Sequence, residues 1–278
     1  MALVIIFGVF FNQYSRIYFR DSKNIGASTI IAQVCGGVCA LLWTPLFSID
    51  LSMSTNYWLL LIIACVFYAL NDRLGADVKK NLDVSVFSIL NRTSDVFLIV
   101  ISVIIFKQVP GFWKIVSAII TIIGQIALTY NKKGKFQINK YFIFALLTNL
   151  VFAIALSIDI GISEQINLPF YVALTLLIPS IIIGISEKIS LNDLKLEYKN
   201  SHKPSFYITG FSWGTYIVAI LYAYQIGSII SVIIVNALAV IINVLIGIFV
   251  QKENKNITNK IVAMILVSIG ILITIFKN

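Results

Sequence analysis

Long apolar runs separated by short polar breaks recur ten times along the chain. They are Ala2–Phe19, Ala27–Phe47, Tyr57–Leu70, Val84–Phe106, Phe112–Tyr130, Tyr141–Ile160, Pro169–Ile185, Ser205–Gln225, Ser228–Val250 and Lys260–Phe276. Each approaches the length of about 20 residues that an α-helix needs to cross the hydrocarbon of a bilayer. The first and third are short, and Trp43, Tyr57 and Trp58 are placed for the membrane–water interface. Lys188–Lys203 is the one long charged break and reads as a solvated connection. Met1-Ala2-Leu3-Val4 begins apolar at once, without a basic segment or small-residue cleavage site, so the first run reads as a retained span.

Composition turns these runs into a fold class. Of 278 residues, 59% are hydrophobic and 12% are charged, against about 25% charged in a soluble domain. Water could not solvate such a surface; lipid can. The expected class is all-α integral membrane, with ten transmembrane helices. The formal charge of +9 does not point to nucleic acid, because the Lys and Arg residues sit in short loops rather than in a patch interleaved with aromatics. Seventeen of the 21 basic residues fall in the odd-numbered loops, among them Arg16, Arg20, Lys79, Lys80, Lys132, Lys133, Lys135 and Lys203. The positive-inside rule makes those loops cytoplasmic and both termini external. His202 lies in a loop. Cys35, Cys39 and Cys65 lie in apolar runs without partner ligands, so neither a metal, a disulfide nor any cofactor is expected.

The two halves resemble each other. Lys114-Ile115-Val116 through Ile123-Gly124 aligns with Lys260-Ile261-Val262 through Ile269-Gly270, and Phe106-Lys107-Gln108 with Gln251-Lys252-Glu253. Counting back equally from Gln108 and Glu253 reaches Asn91 and Asn236, and Tyr68-Ala69-Leu70-Asn71 is echoed by Tyr222-Ala223-Tyr224-Gln225. With five helices in each half, residues 1–134 and 135–278, the second copy must enter the membrane from the opposite side. Two inverted five-helix repeats are an architecture of secondary transporters, with the solute site near the midplane between them.

At these residues the chain resembles the drug/metabolite transporter superfamily, in its ten-helix EamA-like form. The similarity covers nearly the whole chain. It is most specific where an apolar helix ends in a Gly-Glu-type turn and the next carries an Ile-Gly pair. That pattern reads Ile105-Phe106-Lys107-Gln108 through Ile123-Gly124, and Phe249-Val250-Gln251-Lys252-Glu253 through Ile269-Gly270. The first copy departs from it, with Gln108 in the acidic place. The resemblance implies alternating-access transport or export of small metabolites, and no particular solute.

Charged groups inside apolar runs need a reason, since insertion of one costs about 2.5–3.5 kcal/mol. Ser88, Asn91, Arg92 and Asp95 follow i, i+3, i+4, i+7 spacing and share one helix face. An Arg92–Asp95 pair would lower the burial cost, and the stripe would line a polar cavity and contact a zwitterionic or charged solute; the alternative is a structural ion pair. Asn236 and Asn243 share a face of the ninth run and serve either the solute or helix–helix hydrogen bonding. Trp213 and Tyr216 could form an aromatic wall against a planar or cationic solute, or simply pack. Gly210 and Gly214 have the small-xxx-small spacing of close helix approach. Asp159, with Thr148 on the same face, is a coupling carboxylate if buried and an interfacial one if not; Asp95 is the second such candidate. Asn12 and Gln13 carry the same ambiguity.

The function read from these features is a secondary transporter, an exporter of a small organic metabolite such as an amino acid or related polar solute. A lipid-carrier flippase shares its logic but needs an opening to the bilayer. An integral membrane enzyme would need ligand or nucleophile spacing that one loop histidine does not provide, and no G-x-x-x-x-G-K-[ST] loop is present to use ATP. The expected partners are a small-molecule substrate, the lipid bilayer and a proton or sodium ion as coupling ion, with no nucleic acid. The chain is expected as a monomer or homodimer. Its richness in Ile, Asn and Lys suits an AT-rich prokaryotic genome, and the expected location is the prokaryotic cell (inner) membrane.

Overall fold

The computed structural model describes residues 1–47, 54–106, 111–128, 139–162, 166–226 and 229–276. Side chains are described throughout these except at 99, 102, 103, 105, 106, 114, 160, 161, 224, 229–237, 274 and 275. Every regular element among the described residues is helical. In chain order they are α1 (Ala2–Arg20), α2 (Ile25–Leu41), α3 (Thr55–Asn81), α4 (Val84–Leu90), α5 (Thr93–Phe106), α6 (Phe112–Ala127), α7 (Lys140–Ile162), α8 (Leu168–Ser186), α9 (Leu191–Asn200), α10 (Lys203–Ile226), α11 (Ile229–Phe249) and α12 (Ile257–Phe276), with a 3₁₀ turn at Thr44–Leu46 after α2.

Six of them are long and apolar enough to cross a membrane: α1, α2 with its turn, α3, α7, α8 and α10. The chain is therefore a multi-pass membrane protein. Its outward faces agree. On α3, Ile62, Ile63, Val66 and Leu70 are exposed, and on α6 so are Ile119, Ile122, Ile123 and Ile126. Apolar stripes of that extent are stable in lipid rather than in water. Shorter apolar helices lie within Ile115–Ala127, Leu238–Phe249 and Ile257–Ile273.

Helix starts follow local chemistry. The side chains of Asn24 and Asn167 accept hydrogen bonds from the backbone amides of Ala27 and Phe170, capping α2 and α8. Three sequence expectations need correction. The third helix does not stop at Leu70 but runs to Asn81, because its polar groups find partners inside the protein. Arg73, for example, pairs with Asp77 and with Glu187 at the end of α8, each at 2.5 Å. The fourth run, Val84–Phe106, is two helices interrupted at Asn91–Arg92. The charged connection Lys188–Lys203 is not simply solvated chain: it contains α9, started by a Ser190/Asp193 capping box. The buried Glu197 of α9 accepts from Lys23 N, Asn24 N and Ser28 Oγ at the start of α2.

Packing pairs the elements in a regular way. Contacts join α1 to α10 and α3 to α7, α2 to α10 and α8 to α3, α1 to α11 and α7 to α5, α11 to α12 and α5 to α6. The most extensive of the remaining contacts join α2 to α8, α6 to α12 and α4 to α11. Chain connectivity brings the end of α1, the start of α2, the end of α3 and the start of α4 to one end, which is also the basic end. There Lys80 Nζ reaches Ser22 O at 2.6 Å and the Arg16 guanidinium donates to Lys80 O. Additional contacts of α1 with α3 and α4 draw this end together. No comparable packing joins α7 to α10 among the described residues.

Candidate functional site

The break between α4 and α5 organises the centre of the molecule. At Asn91 and Arg92 the backbone tightens into i→i−3 bonding: Arg92 N donates to Ile89 O at 3.2 Å, and Asp95 N to Arg92 O at 3.2 Å. The carbonyl of Leu90 accepts instead from Thr93 Oγ1 at 2.6 Å and from Asn149 Nδ2 of α7 at 2.8 Å. Asn91 O accepts from Ser94 Oγ at 2.7 Å. An interrupted helix at membrane depth is tolerated only where its freed backbone groups are satisfied in this way or line a cavity. Both conditions hold here.

Two adjoining cavities, of about 150 and 100 Å³, lie beside the break and share Asp72, Arg92, Ser94, Phe152, Trp213 and Tyr216 in their walls. The first continues toward Asn12, Gln33, Asn71, Lys79, Asn91 and Thr209. The second continues toward Tyr68, Asp95 and Asp159, between Leu156 of α7 and Ile217, Ile220 and Leu221 of α10. Arg92 Nη1 and Asp95 Oδ2 are 3.4 Å apart, a loose ion pair. Arg92 Nε and Thr209 Oγ1 are buried without a partner among the described residues, and an unsatisfied buried donor costs about 1–3 kcal/mol. Trp213 stacks on Phe11 at 4.1 Å between centroids and donates from Nε1 to Gln33 Oε1 at 3.1 Å, which fixes its ring as a cavity wall.

At the far end of the second cavity Asp159 is only 3% exposed. Its carboxylate accepts from Tyr68 Oη at 2.5 Å and from Tyr171 Oη. No cation pairs with it among the described residues. Asp159 is thus the buried carboxyl rather than an interfacial one.

The sequence-predicted residues divide. Asn91 lines the first cavity, Asp95 and Asp159 the second, and Arg92, Trp213 and Tyr216 both. Ser88 is buried, its Oγ without a partner among the described residues, and lines neither cavity; it lies in α4, and the interruption at Asn91–Arg92 means that the four residues do not share one continuous helix face. Asn243 is 1% exposed and accepts from Gln13 Nε2 at 2.9 Å. Gln251 Nε2 donates in turn to Gln13 Oε1 at 2.6 Å, so Asn243 serves helix–helix bonding. The side chain of Asn236 lies outside the described residues. Sequence reasoning missed Asp72, Lys79 and Asn149. Ending the third helix at Leu70 hid the first two, although their seven-residue spacing puts them on one face. Asn149 was legible only as a polar residue in an apolar run.

No family model matches this chain, and no curated protein does either. Solved structures do match: one, described only as "Crystal structure of protein", superposes with a TM-score of 0.63 at 10% identity, over 98% of this chain and 96% of its own. That similarity establishes a shared fold. The fold and cavities define a multi-pass helical membrane protein with a charged, aromatic-walled interior.

Proposed function

We propose that the protein is a secondary transporter of the drug/metabolite transporter type. It exports a small organic metabolite, an amino acid or related polar solute, by alternating access between two inverted sets of five spans. The observation that carries this reading is the charged cavity at the α4–α5 break, enclosed by a bundle whose outer faces are apolar. Charges are retained at that depth where they line a solute path. Counting α4 and α5 as one span and leaving out α9 yields ten. The packing pairs then follow a five-span offset: α1 on α10 answers α7 on α3, and α2 on α10 answers α8 on α3. That correspondence supports the repeat.

The departures from it support alternating access. Contacts of α1 with α3 and α4 close the basic end, cytoplasmic by the positive-inside rule. Their counterparts around α7 and α10 are not closed among the described residues, and the second cavity lies there. Asp159, buried against two tyrosine hydroxyls in that passage, is the coupling residue of this reading, with a proton as the coupling ion and a prokaryotic cell membrane as the setting.

Flux in proteoliposomes tests it. Wild-type protein should move members of an amino-acid and metabolite panel, while Arg92→Ala and Asp95→Ala insert and fold but lose flux. Asp159→Asn should keep solute exchange and lose acceleration by a pH gradient. Wild-type rates in both Arg92→Ala and Asp95→Ala would remove the cavity from the mechanism.

A further inference from the structure

We propose that Lys79, with Arg92 and Thr209 in the same cavity wall, forms an anion-binding subsite that takes the carboxylate of the solute. The assignment rests on the transporter reading above and names the chemistry its site selects. Lys79 sits in the last turn of α3, and its neighbour Lys80 shows the ordinary behaviour there by reaching the backbone of Ser22. Lys79 instead lines the first cavity. Its ammonium stands 4.0 Å from the centroid of Phe11, 5.4 Å from Phe87 and 5.7 Å from Trp213. Aromatic faces stabilise a desolvated cation but cannot accept its hydrogen bonds as an oxygen does. Lys79 Nζ has no hydrogen bond or ion pair among the described residues.

Arg92 and Thr209 also line this cavity; among the described residues Arg92 Nε and Thr209 Oγ1 have no partner, both atoms lying buried behind its surface. Two cationic side chains in one cavity wall have as their complement an acceptor carrying negative charge. Charge balance favours a carboxylate over a phosphate. Asp95 already pairs with Arg92 and Asp72 shares the cavity wall with Lys79, so the wall has little net positive charge to meet the charge of about −1.5 to −2 that a phosphate monoester would bring. Asp72 lies two turns back on the same face of α3, in the wall of both cavities. Among the described residues its carboxylate accepts a hydrogen bond only from Asn71 Nδ2, at 3.0 Å, so it is open to a cationic group at the other end of the solute. The face of α3 therefore suits a zwitterion.

Matched ligands separate this from a lysine held merely by ring packing. Purified wild-type protein is heated with phenylalanine, phenylalaninamide, phenethylamine, leucine, leucinamide, isoamylamine and phenyl phosphate. The same series is repeated with Lys79→Met, which keeps the unbranched stem and removes the ammonium, and Lys79→Arg, which keeps the charge. The expected result is stabilisation of wild type by the free carboxylates beyond their amides and amines. Lys79→Met should weaken carboxylate binding about 10- to 100-fold, the worth of a charge-assisted hydrogen bond, and Lys79→Arg should restore part of it. Equal response to acid and amide, preference for phenyl phosphate, no stabilisation by either carboxylate, or unchanged discrimination in Lys79→Met would each overturn the assignment. Flux of the amides or amines by wild type in proteoliposomes would leave the transporter reading standing while the subsite fell.

Discussion

Val84 N donates to Glu253 Oε1 at 2.6 Å, so a carboxylate from the turn after α11 caps the first turn of α4. Ser85 N adds a second bond to Glu253 Oε2 at 3.2 Å, and an anion at a helix N-terminus is favoured by the helix dipole. Lys260, only 2% exposed, balances the charge by reaching Asp83 at 2.8 Å and Glu253 at 3.2 Å. Removing one member of a buried ionic group leaves the others uncompensated, at about 3–5 kcal/mol. Glu253→Ala should therefore lower thermal stability in detergent by about that amount. The double variant Glu253→Gln/Lys260→Met should lose less than the two single changes added together. Additive losses would show that the groups act separately.

Asn149 is the external donor to the broken helix, through the bond from its Nδ2 to Leu90 O. Asn149→Ala leaves that carbonyl with Thr93 alone and should cost about 1 kcal/mol. Under the transporter reading it should also reduce solute flux more than Ser157→Ala does, since among the described residues Ser157 bonds only within its own helix, to Ala153 O. Comparable flux in both variants would separate the break from transport.

The crossing of α2 and α10 depends on absent side chains. A Cβ on Gly214 would overlap Gly36 O and meet Ala40 N at 3.1 Å, both backbone atoms that cannot step aside. Gly214→Ala should destabilise by about 1–3 kcal/mol through overpacking. Gly184 supplies the control: its Cβ would meet only Ile30 Cδ1, at 3.6 Å. There alanine should be neutral or stabilising by up to about 1 kcal/mol from helix propensity. Thermal midpoints of the two variants check the contrast.

On the extramembrane helix α9, hydrogen bonds from Ser190 Oγ and Ser190 N hold the Asp193 carboxyl below its ordinary value of 3.8. A depressed carboxyl pKa means the folded state favours the charged form. Its contribution is present above 3.8 and is lost as pH falls through the lower folded value. Carbon-detected NMR of Asp193 should show a midpoint below 3.8 in the wild type, returning toward 3.8 in Ser190→Ala. An unchanged midpoint would mean the box does not form in solution.

Much of the membrane architecture was legible because lipid imposes a local rule. A crossing helix must satisfy its own backbone and present apolar side chains over about 20 residues, and both demands are written in consecutive positions. Arg92 and Asp95 were legible for the same reason, as charges where the rule forbids them. Asp72 and Lys79 were not, because a polar helix end reads as a loop when only its own residues are seen. The acceptability of Lys79 depends on Phe11 and Trp213 from other helices, and that of Arg73 on Glu187. The break at Asn91 was equally hidden, since the groups that satisfy it include Asn149, 59 residues from Leu90.

By itself, the sequence determined that the chain is helical, lies in a membrane, and carries buried charge in its fourth apolar run. Hydropathy over one helical length is enough for that, because each span meets lipid independently. The tertiary structure decided which polar groups share a cavity, which merely bond helix to helix, as Asn243 does to Gln13, and where the fourth helix breaks. Those outcomes depend on distances between segments far apart in the chain, set by packing against small residues such as Gly214, and no local pattern encodes them.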